Sequence, residues 1–273
     1  MTDTTQRFAV IGSSHLYGII HSYVGPLRDL REKYSVAWET GVPATGRLDF
    51  GGLPGWEGCF VAYNTPAAGA PPVVRDQVLY MPPELSRVLG SIPQDTDCIF
   101  SLMRGHEFAM SGLVDDPSHA DFNDGDSLCE AGRQWVSLED ATAWVREIAA
   151  PLFGTHLALK QHFPKARIVH VPAPPPIESQ AHIEANVESF GPLFARHGIK
   201  PYAMRQRLYK LMYGTLNRDL AAYGIESLPV PSEALTPAGG LRADWARGCL
   251  HGNEHYGAAL GQQMKRRLQH APV

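Results

Sequence analysis

The segment Phe8–His15, which reads FAVIGSSH, decides the fold. Its first four residues are apolar without interruption, which is typical of a strand buried on both faces, as the strands of parallel sheets are. Gly12 ends this run, and a segment predicted to be helical begins at Ser14. A strand, a sharp glycine turn and a helix in this order predict the first unit of an α/β fold.

The alternation of strands and helices continues along the chain. Further strands are predicted at Tyr34–Trp38, Cys98–Met103, Arg167–Val171 and Ile225–Val230, and helices at Ser14–Asp29, Pro83–Leu89, Ser137–His162, Met204–Leu220 and Tyr256–Leu268. We therefore expect one domain over residues 1–273, a three-layer, flavodoxin-like α/β fold with a central parallel sheet of about five strands. Residues 41–80 and 111–134 are rich in turn-forming or acidic residues and are expected to be irregular insertions.

The composition argues against several classes of protein. The 273 residues are 44% hydrophobic, carry a formal net charge of -4 and contain no long run of Lys or Arg, so nucleic acid is not an expected partner. The N-terminal residues lack the apolar core of a signal peptide, and no apolar run predicts a membrane span. The four cysteines are widely spaced, which fits reduced thiols. We expect a cytoplasmic protein without a cofactor, and the oligomeric state stays open.

Functional sites in parallel sheets form beyond the carboxyl ends of the strands. This rule singles out Ser14, the residues after Met103, the residues after Val171 and the segment that leads to His251. A serine at a strand end exposes its hydroxyl, and the backbone amides of a following helix can stabilise an oxyanion. The Gly12–Ser14 turn is also consistent with a helix N-cap or a phosphate loop.

The segment His251–Gly257, which reads HGNEHYG, has two interpretations. As H-x-x-E-H on one helix, it would place His251 and His255 on a shared face that binds zinc. As a single histidine before a helix capped by Asn253, it would supply one general base. No Asp or Glu follows His255, so the usual downstream zinc ligand is missing. The sequence therefore favours the single histidine, and no metal is expected.

Three blocks resemble those of the SGNH, or GDSL-type, hydrolases. The block Phe8–His15 is similar to the strand that leads to the family's Gly-Asp-Ser, with Ser14 at the nucleophile position and Ser13 in place of the Asp. The block Ile99–Glu107 is similar to the one that supplies oxyanion donors, and the block Gly248–Gly257 to the one that carries the catalytic histidine. The blocks follow the family's order over nearly the whole chain.

The resemblance implies an activity and a site. It implies a serine-dependent ester hydrolase, or an O-acyl transferase, that acts on a small acyl ester through an acyl-enzyme. Ser14 would be the nucleophile, His251 the base, and Asp244 the nearest upstream acid. The other candidates, for oxyanion or substrate binding, are Gly105, His106, Ser13, His15, Arg104 and Asn253.

Two positions depart from the family's pattern. Gly248 stands where the triad Asp is expected, three residues before His251, and His106 stands where an oxyanion Asn is expected. The acid that orients His251 therefore stays open between Asp244, Glu254 and a backbone carbonyl. A zinc-dependent hydrolase that uses His251 and His255, and a non-catalytic binding protein on the same scaffold, remain the alternatives.

The chain also contains a literal Gly-Asp-Ser-Leu at residues 125–128. It lies in an acidic segment with no apolar strand before it and no clear helix after it. Because nucleophile chemistry needs the strand, turn and helix around the serine, we do not predict Ser127 as the nucleophile. The acidic segment lacks the spacing of a calcium-binding EF-hand loop.

Overall fold

The computed structural model describes residues 5–25, 42–63, 70–76, 78–103, 111–115, 120–125 and 129–270. Its strands are β1 (Gln6–Gly12), β2 (Ala44–Arg47), β3 (Trp56–Ala62), β4 (Val73–Arg75), β5 (Val78–Tyr80), β6 (Cys98–Leu102), β7 (Ala120–Phe122), β8 (Gln134–Val136), β9 (Arg167–His170), β10 (Glu226–Ser227), β11 (Ala246–Arg247) and β12 (His251–Gly252). Its α-helices are α1 (Tyr17–Tyr23), α2 (Pro83–Leu89), α3 (Leu138–His162), α4 (Gln180–Ala185), α5 (Gly191–His197), α6 (Tyr202–Ala221) and α7 (Glu254–Gln269).

Six strands form the central sheet, in the order β10-β9-β6-β1-β3-β2. The pairs from β10 to β3 are parallel, and β2 runs antiparallel to β3 at one edge. The expected parallel sheet of about five strands is therefore confirmed, with one antiparallel edge strand added. The short pairs β4-β5, β7-β8 and β11-β12 lie outside this sheet.

The strand β1 is buried on both faces, as its apolar run predicts. Phe8 and Val10 belong to a core cluster with residues of α1 and α7, such as Ile19 and Met264. Ala9 and Ile11 point into a second cluster, which contains residues of α2, α3 and α6. Because successive side chains of a strand face opposite sides, these two clusters make the sheet the middle of three layers.

The neighbour of β1 is not the strand expected at Tyr34–Trp38, which lies outside the described residues. The neighbour is β3, which lies within the segment 41–80 that was expected to be irregular. Gly58 weakens the strand pattern there, but a Cβ at Gly58 would lie 2.1 Å from the Phe8 ring and 2.3 Å from the Leu48 carbonyl oxygen. Tertiary packing thus requires the glycine that hides this strand in the sequence.

Several element boundaries follow local signals. The Ser137 hydroxyl accepts a hydrogen bond from the Asp140 amide at 3.0 Å and caps α3, as predicted. The expected helix at Ser14–Asp29 instead begins as a 3-10 turn over Ser14–Leu16 and continues as α1. No helix in the described part of the chain is both long and apolar enough to cross a membrane.

Candidate active site

The end of β1 places Ser14 at the carboxyl edge of the sheet. A Cβ at Gly12 would lie 2.8 Å from the Leu102 Cβ atom and 3.0 Å from its carbonyl oxygen, so only a glycine permits this close approach to β6. The chain then turns, and the Leu16 amide donates to the Ser13 carbonyl at 2.9 Å. Ser14 is half-buried and opens the 3-10 turn. The predicted strand and sharp turn before this serine are therefore present.

Close contact between α1 and α7 brings the other end of the chain to Ser14. A Cβ at Gly257 would lie 2.0 Å from the Gly18 carbonyl carbon, and a Cβ at Gly18 would lie 2.6 Å from the Asn253 carbonyl oxygen. The two helix backbones touch because both positions lack a side chain. Since α1 follows Ser14 and α7 follows His251, this contact fixes the two candidate catalytic residues in one region.

Asn253 is the N-cap of α7, as the sequence predicts. Its side-chain oxygen accepts hydrogen bonds from the amides of His255 and Tyr256 at 3.0 and 3.3 Å, and its Nδ2 donates to the Asp244 carbonyl at 2.8 Å. His251 therefore lies in β12, before the helix, while His255 is exposed in the first turn of α7. The shared helix face that a zinc pair requires is absent from these residues, and no group of three or more metal-ligating side chains occurs in the described segments.

The ring of His251 is held neutral. Burial lowers its pKa well below the usual 6.5, and the charges of His15 and Arg247 lower it further. The rings of His15 and His251 lie with their centroids 4.9 Å apart. The Nδ1 atom of His251 is buried and has no hydrogen-bond partner among the residues that the structure describes. A neutral imidazole in this position can accept a proton at neutral pH.

Arg247 is a site residue that the sequence analysis missed. It pairs with His251 across the β11-β12 hairpin. One of its guanidinium nitrogens donates to the Ser14 carbonyl at 3.4 Å, and the group lies 5.2 Å from the centre of the Tyr17 ring. Arg247 therefore places a cation close to both candidate catalytic residues. The only signal in the sequence is the hairpin spacing, in which residues four apart face each other across a three-residue loop.

The contacts of Asp244 do not support it as the acid that orients His251. Its carboxylate accepts hydrogen bonds from Arg242 at 3.0 and 2.7 Å, and its side chain is 61% exposed. The hydrogen bonds from Arg242 hold the pKa of Asp244 below its usual value. Within the described contacts, no hydrogen bond joins Asp244 to His251. Its backbone carbonyl instead receives Asn253, so Asp244 supports the start of α7.

The remaining candidates fall into two groups. Ser13, Ser14 and His15 follow β1 and lie in the same region as His251. No hydrogen bond between the Ser14 hydroxyl and His251 occurs among the described residues. Arg104, Gly105 and His106 lie outside the described residues, as does the serine of the literal Gly-Asp-Ser-Leu.

A small cavity of about 20 Å³ lies beside His15. The residues that follow β9 form one wall of it. They lie beyond the carboxyl end of a strand, where sites in parallel sheets are expected. Its lining consists of His15, Gly112, Leu113, Ala173, Pro174, Pro175, Pro176, Ile177, Cys249 and Leu250. This volume has room for about one water molecule.

Comparison with known proteins relates the fold to lipases. No protein-family model matches the chain, and no curated protein sequence matches it. A phospholipase A1 from Streptomyces albidoflavus NA297 matches 97% of this chain and 99% of its own, with 13% identity and a TM-score of 0.51. An extracellular lipase from Streptomyces rimosus matches 96% of this chain and 99% of its own, with 12% identity and a TM-score of 0.50. The chain therefore shares its fold with these two enzymes, and the fold that the resemblance to the SGNH, or GDSL-type, hydrolases implies is confirmed.

Proposed function

We propose that the protein is a serine-dependent ester hydrolase or O-acyl transferase with Ser14 as nucleophile and His251 as general base. The observation that carries the proposal is the convergence of Ser14 and a neutral, half-buried His251 at the carboxyl edge of a parallel sheet. The names of the two structural relatives, a phospholipase A1 and a lipase, support ester chemistry. Both names denote enzymes that cleave esters. The fold alone does not determine an activity.

In the proposed mechanism, the Ser14 oxygen attacks the carbonyl carbon of the ester while His251 takes the hydroxyl proton. The tetrahedral intermediate collapses when the bond to the alcohol breaks, and His251 gives its proton to the departing alcohol. Water or an acceptor alcohol then attacks the acyl-enzyme, with His251 again acting as the base. A change in the Ser14 rotamer has to bring its hydroxyl to His251, and catalytic hydrogen bonds often tighten only with substrate.

The negative charge on the tetrahedral oxygen needs donors. The amide of Ser14 opens a 3-10 turn and is one candidate, and Gly105 and His106 remain the others. Arg247 lies beside Ser14 and adds positive charge to this region. Removing a single donor of this kind costs on the order of 10² to 10³ in kcat in a serine protease.

The proposed substrate is an ester with a short acyl group. The cavity beside His15 is about 20 Å³, and prolines 174, 175 and 176 form part of its wall. A cavity of this size has to open even for an acetyl group, and because a proline has a fixed φ, this wall resists the larger rearrangement that a long chain would need. Acetyl esters are therefore the first substrates to assay.

The test compares Ser14→Ala with Ser13→Ala as a matched control in the same turn. The Ser14→Ala variant is expected to lose roughly 10³-fold or more of its p-nitrophenyl acetate hydrolysis and all labelling by a fluorophosphonate. The Ser13→Ala variant is expected to keep its labelling. If Ser14→Ala retains wild-type hydrolysis, the proposal fails. A wild-type protein that is not labelled would instead favour a non-catalytic binding protein on this fold.

A further inference from the structure

The segment that follows β9 has few backbone donors, because four of its first five residues are prolines. The last hydrogen bond to the neighbouring strand comes from the Val171 amide, which donates to the Ser101 carbonyl at 2.9 Å. Residues 172–176 then read PAPPP, and a proline has no backbone N–H. Within these five residues, only Ala173 can donate a backbone hydrogen bond. Contacts other than those of a sheet therefore have to hold this segment.

Two tyrosines of α6 hold both polar groups of Ala173. The Tyr209 hydroxyl donates to the Ala173 carbonyl at 2.8 Å, and the Ala173 amide donates to the Tyr213 hydroxyl oxygen at 3.2 Å. A spacing of four residues places the two tyrosines on one face of the helix, and their ring centroids lie 4.6 Å apart. Both hydrogen bonds are buried. Since a buried backbone group needs a partner, the tyrosines take the place of the strand contacts that the prolines interrupt.

The other end of the segment is attached to the same face of α6. Arg205 lies one turn before the first tyrosine, is fully buried, and donates from Nη1 to the Ile177 carbonyl at 2.6 Å. From a different part of the chain, the Leu241 amide donates to the Pro176 carbonyl at 2.9 Å. Residues 173–177, called the proline wall from here on, are therefore fixed at both ends.

The proline wall borders the cavity beside His15. All five of its residues line this cavity, together with Leu250, which directly precedes His251. The cavity holds about 20 Å³, or roughly one water molecule, so the proline wall has to move outward to admit an acyl group. A longer acyl group requires a larger movement. The hydrogen bonds that hold the proline wall therefore oppose long acyl groups more than short ones.

We propose that Tyr209 and Tyr213 determine the length of the acyl group that the protein accepts, acting as positioning residues through the proline wall. The inference rests on the proposed function and deepens it. Neither hydroxyl takes part in the proton transfers between Ser14, His251 and the leaving alcohol. Each contributes the hydrogen bond that is broken when the proline wall opens widely, and a neutral hydrogen bond of this kind changes an equilibrium by a factor of about 2 to 10.

The experiment removes the two hydroxyls one at a time. Tyr209→Phe and Tyr213→Phe keep the packed rings and lose one hydrogen bond to Ala173 each. We expect the ratio of kcat/KM for p-nitrophenyl butyrate to kcat/KM for p-nitrophenyl acetate to rise about 2- to 10-fold in each variant. The double variant should raise this ratio further. Urea unfolding measures the stability of every variant in parallel.

Ser227→Ala is the matched control. The Ser227 hydroxyl donates to the side-chain oxygen of Asn217 at 2.8 Å. Asn217 lies four residues after Tyr213 on α6, but its hydrogen bond joins the helix to β10 instead of the proline wall. Ser227→Ala therefore also removes a partly buried hydrogen bond of this helix. It should leave the ratio of butyrate to acetate hydrolysis unchanged.

The failure of this inference can be told apart from failure of the proposed function. If the wild type hydrolyses p-nitrophenyl acetate and is labelled at Ser14, while folded tyrosine variants keep the wild-type ratio, the proposed function stands and the role of the tyrosines is overturned. Equal losses of rate for both esters would show that the tyrosines only stabilise the fold, and would also overturn it. If wild-type Ser14 is not labelled, the proposed function fails and this inference falls with it.

Discussion

The imidazole rings of His15 and His251 lie with their centroids 4.9 Å apart, although the two residues come from opposite ends of the chain. This proximity has an electrostatic consequence, because two neighbouring imidazoles cannot both carry a proton without repulsion. Burial is the main reason that the pKa of His251 lies well below 6.5, and His15 contributes next. The pair therefore keeps His251 in its neutral form at neutral pH, the form in which a general base starts.

The first prediction concerns the pH profile of ester hydrolysis. His251 must be neutral to act as a base, and its lowered pKa keeps it neutral at a lower pH than an ordinary histidine. We expect kcat/KM to stay constant from about pH 8 to pH 6.5 and to fall only at lower pH. The substitution His15→Gln removes a charge that disfavours the His251 imidazolium, so the acid limb should move to higher pH. His255→Gln, at an exposed position of α7, should leave the limb in place.

The second prediction concerns a buried histidine pair that holds α3 to the sheet. His156 shares a hydrogen bond through its Nδ1 with the Leu152 carbonyl oxygen at 2.9 Å, so Nδ1 carries the proton and Nε2 accepts. The His156 Nε2 atom lies 3.1 Å from Nδ1 of His170, at the end of β9, which therefore donates. In this arrangement both rings are neutral, and Nε2 of His170 is buried without a hydrogen-bond partner among the described residues. Protonating His156 at Nε2 would place that N–H group against the N–H group at Nδ1 of His170, so the hydrogen bond between the rings would be lost.

This pair should make the protein sensitive to acid. Burial lowers the pKa of His156 to about 4 and that of His170 well below 6.5. Between these values and 6.5 the unfolded chain binds protons that the folded chain does not. The free energy of unfolding should therefore have its full value above about pH 6.5. It should fall as the pH drops towards 4, by roughly 3 kcal/mol for His156 alone.

Urea unfolding at a series of pH values checks this prediction. The double variant His156→Leu/His170→Phe should lose stability less steeply between about pH 6.5 and pH 4.5 than the wild type does. His255→Gln is again the matched control, since it removes an exposed histidine and should leave the slope unchanged. Equal slopes for the double variant and the wild type would refute the assignment.

The parts of the fold that depend on local signals could be predicted from the sequence. The strand β1 reads as an unbroken apolar run because both of its faces are buried. Ser137 and Asn253 are recognisable as N-caps because a capping side chain needs only the amides two or three residues further on. Ser14 and His251 follow from such signals together with the resemblance of their blocks.

The parts that depend on tertiary contacts could not be predicted. Gly58 makes β3 look weak as a strand, and the reason for the glycine is the Phe8 ring packed above it. Gly248 looks like the loss of a functional side chain, whereas its Cα is covered by Glu188, which no spacing rule links to it. Asp244 is the nearest upstream acid in the sequence, yet its partner is Arg242. Proximity along the chain does not replace proximity in space.

The third prediction tests whether the contact between α1 and α7 positions the site. Gly257→Ala would place a methyl group about 2.0 Å from the Gly18 carbonyl carbon, so the helices have to move apart. We expect a loss of stability of about 1 to 3 kcal/mol and a reduced rate of Ser14 labelling, since His251 precedes α7. Gly214→Ala, in the middle of α6, meets no atom within 4 Å and should raise stability by up to about 1 kcal/mol through helix propensity. If Gly257→Ala is labelled at the wild-type rate, the contact between α1 and α7 does not position the candidate catalytic residues.

The fourth prediction concerns the buried ion pair between Asp121 on β7 and Arg207 on α6. The two side chains are 1% and 5% exposed, and Asp121 also accepts the amides of Phe122 and Glu130, both at 2.8 Å. Arg207→Met would leave a buried carboxylate without its cation, which typically costs about 3 to 5 kcal/mol. The exposed pair of Arg146 and Asp219 is the control, because an exposed ion pair contributes little and Arg146→Met should destabilise the protein much less.

Urea unfolding of both variants measures this difference directly. Arg207 joins the short β7-β8 pair to α6, so its loss should destabilise the layer that contains α3 and α6. Replacing the carboxylate as well, in Asp121→Asn/Arg207→Met, removes the unpaired charge and should recover part of the stability. If Arg207→Met and Arg146→Met have the same free energy of unfolding, the buried Asp121 carboxylate does not need its cation more than an exposed carboxylate does. The assignment of Arg207 as a structural cation is then wrong.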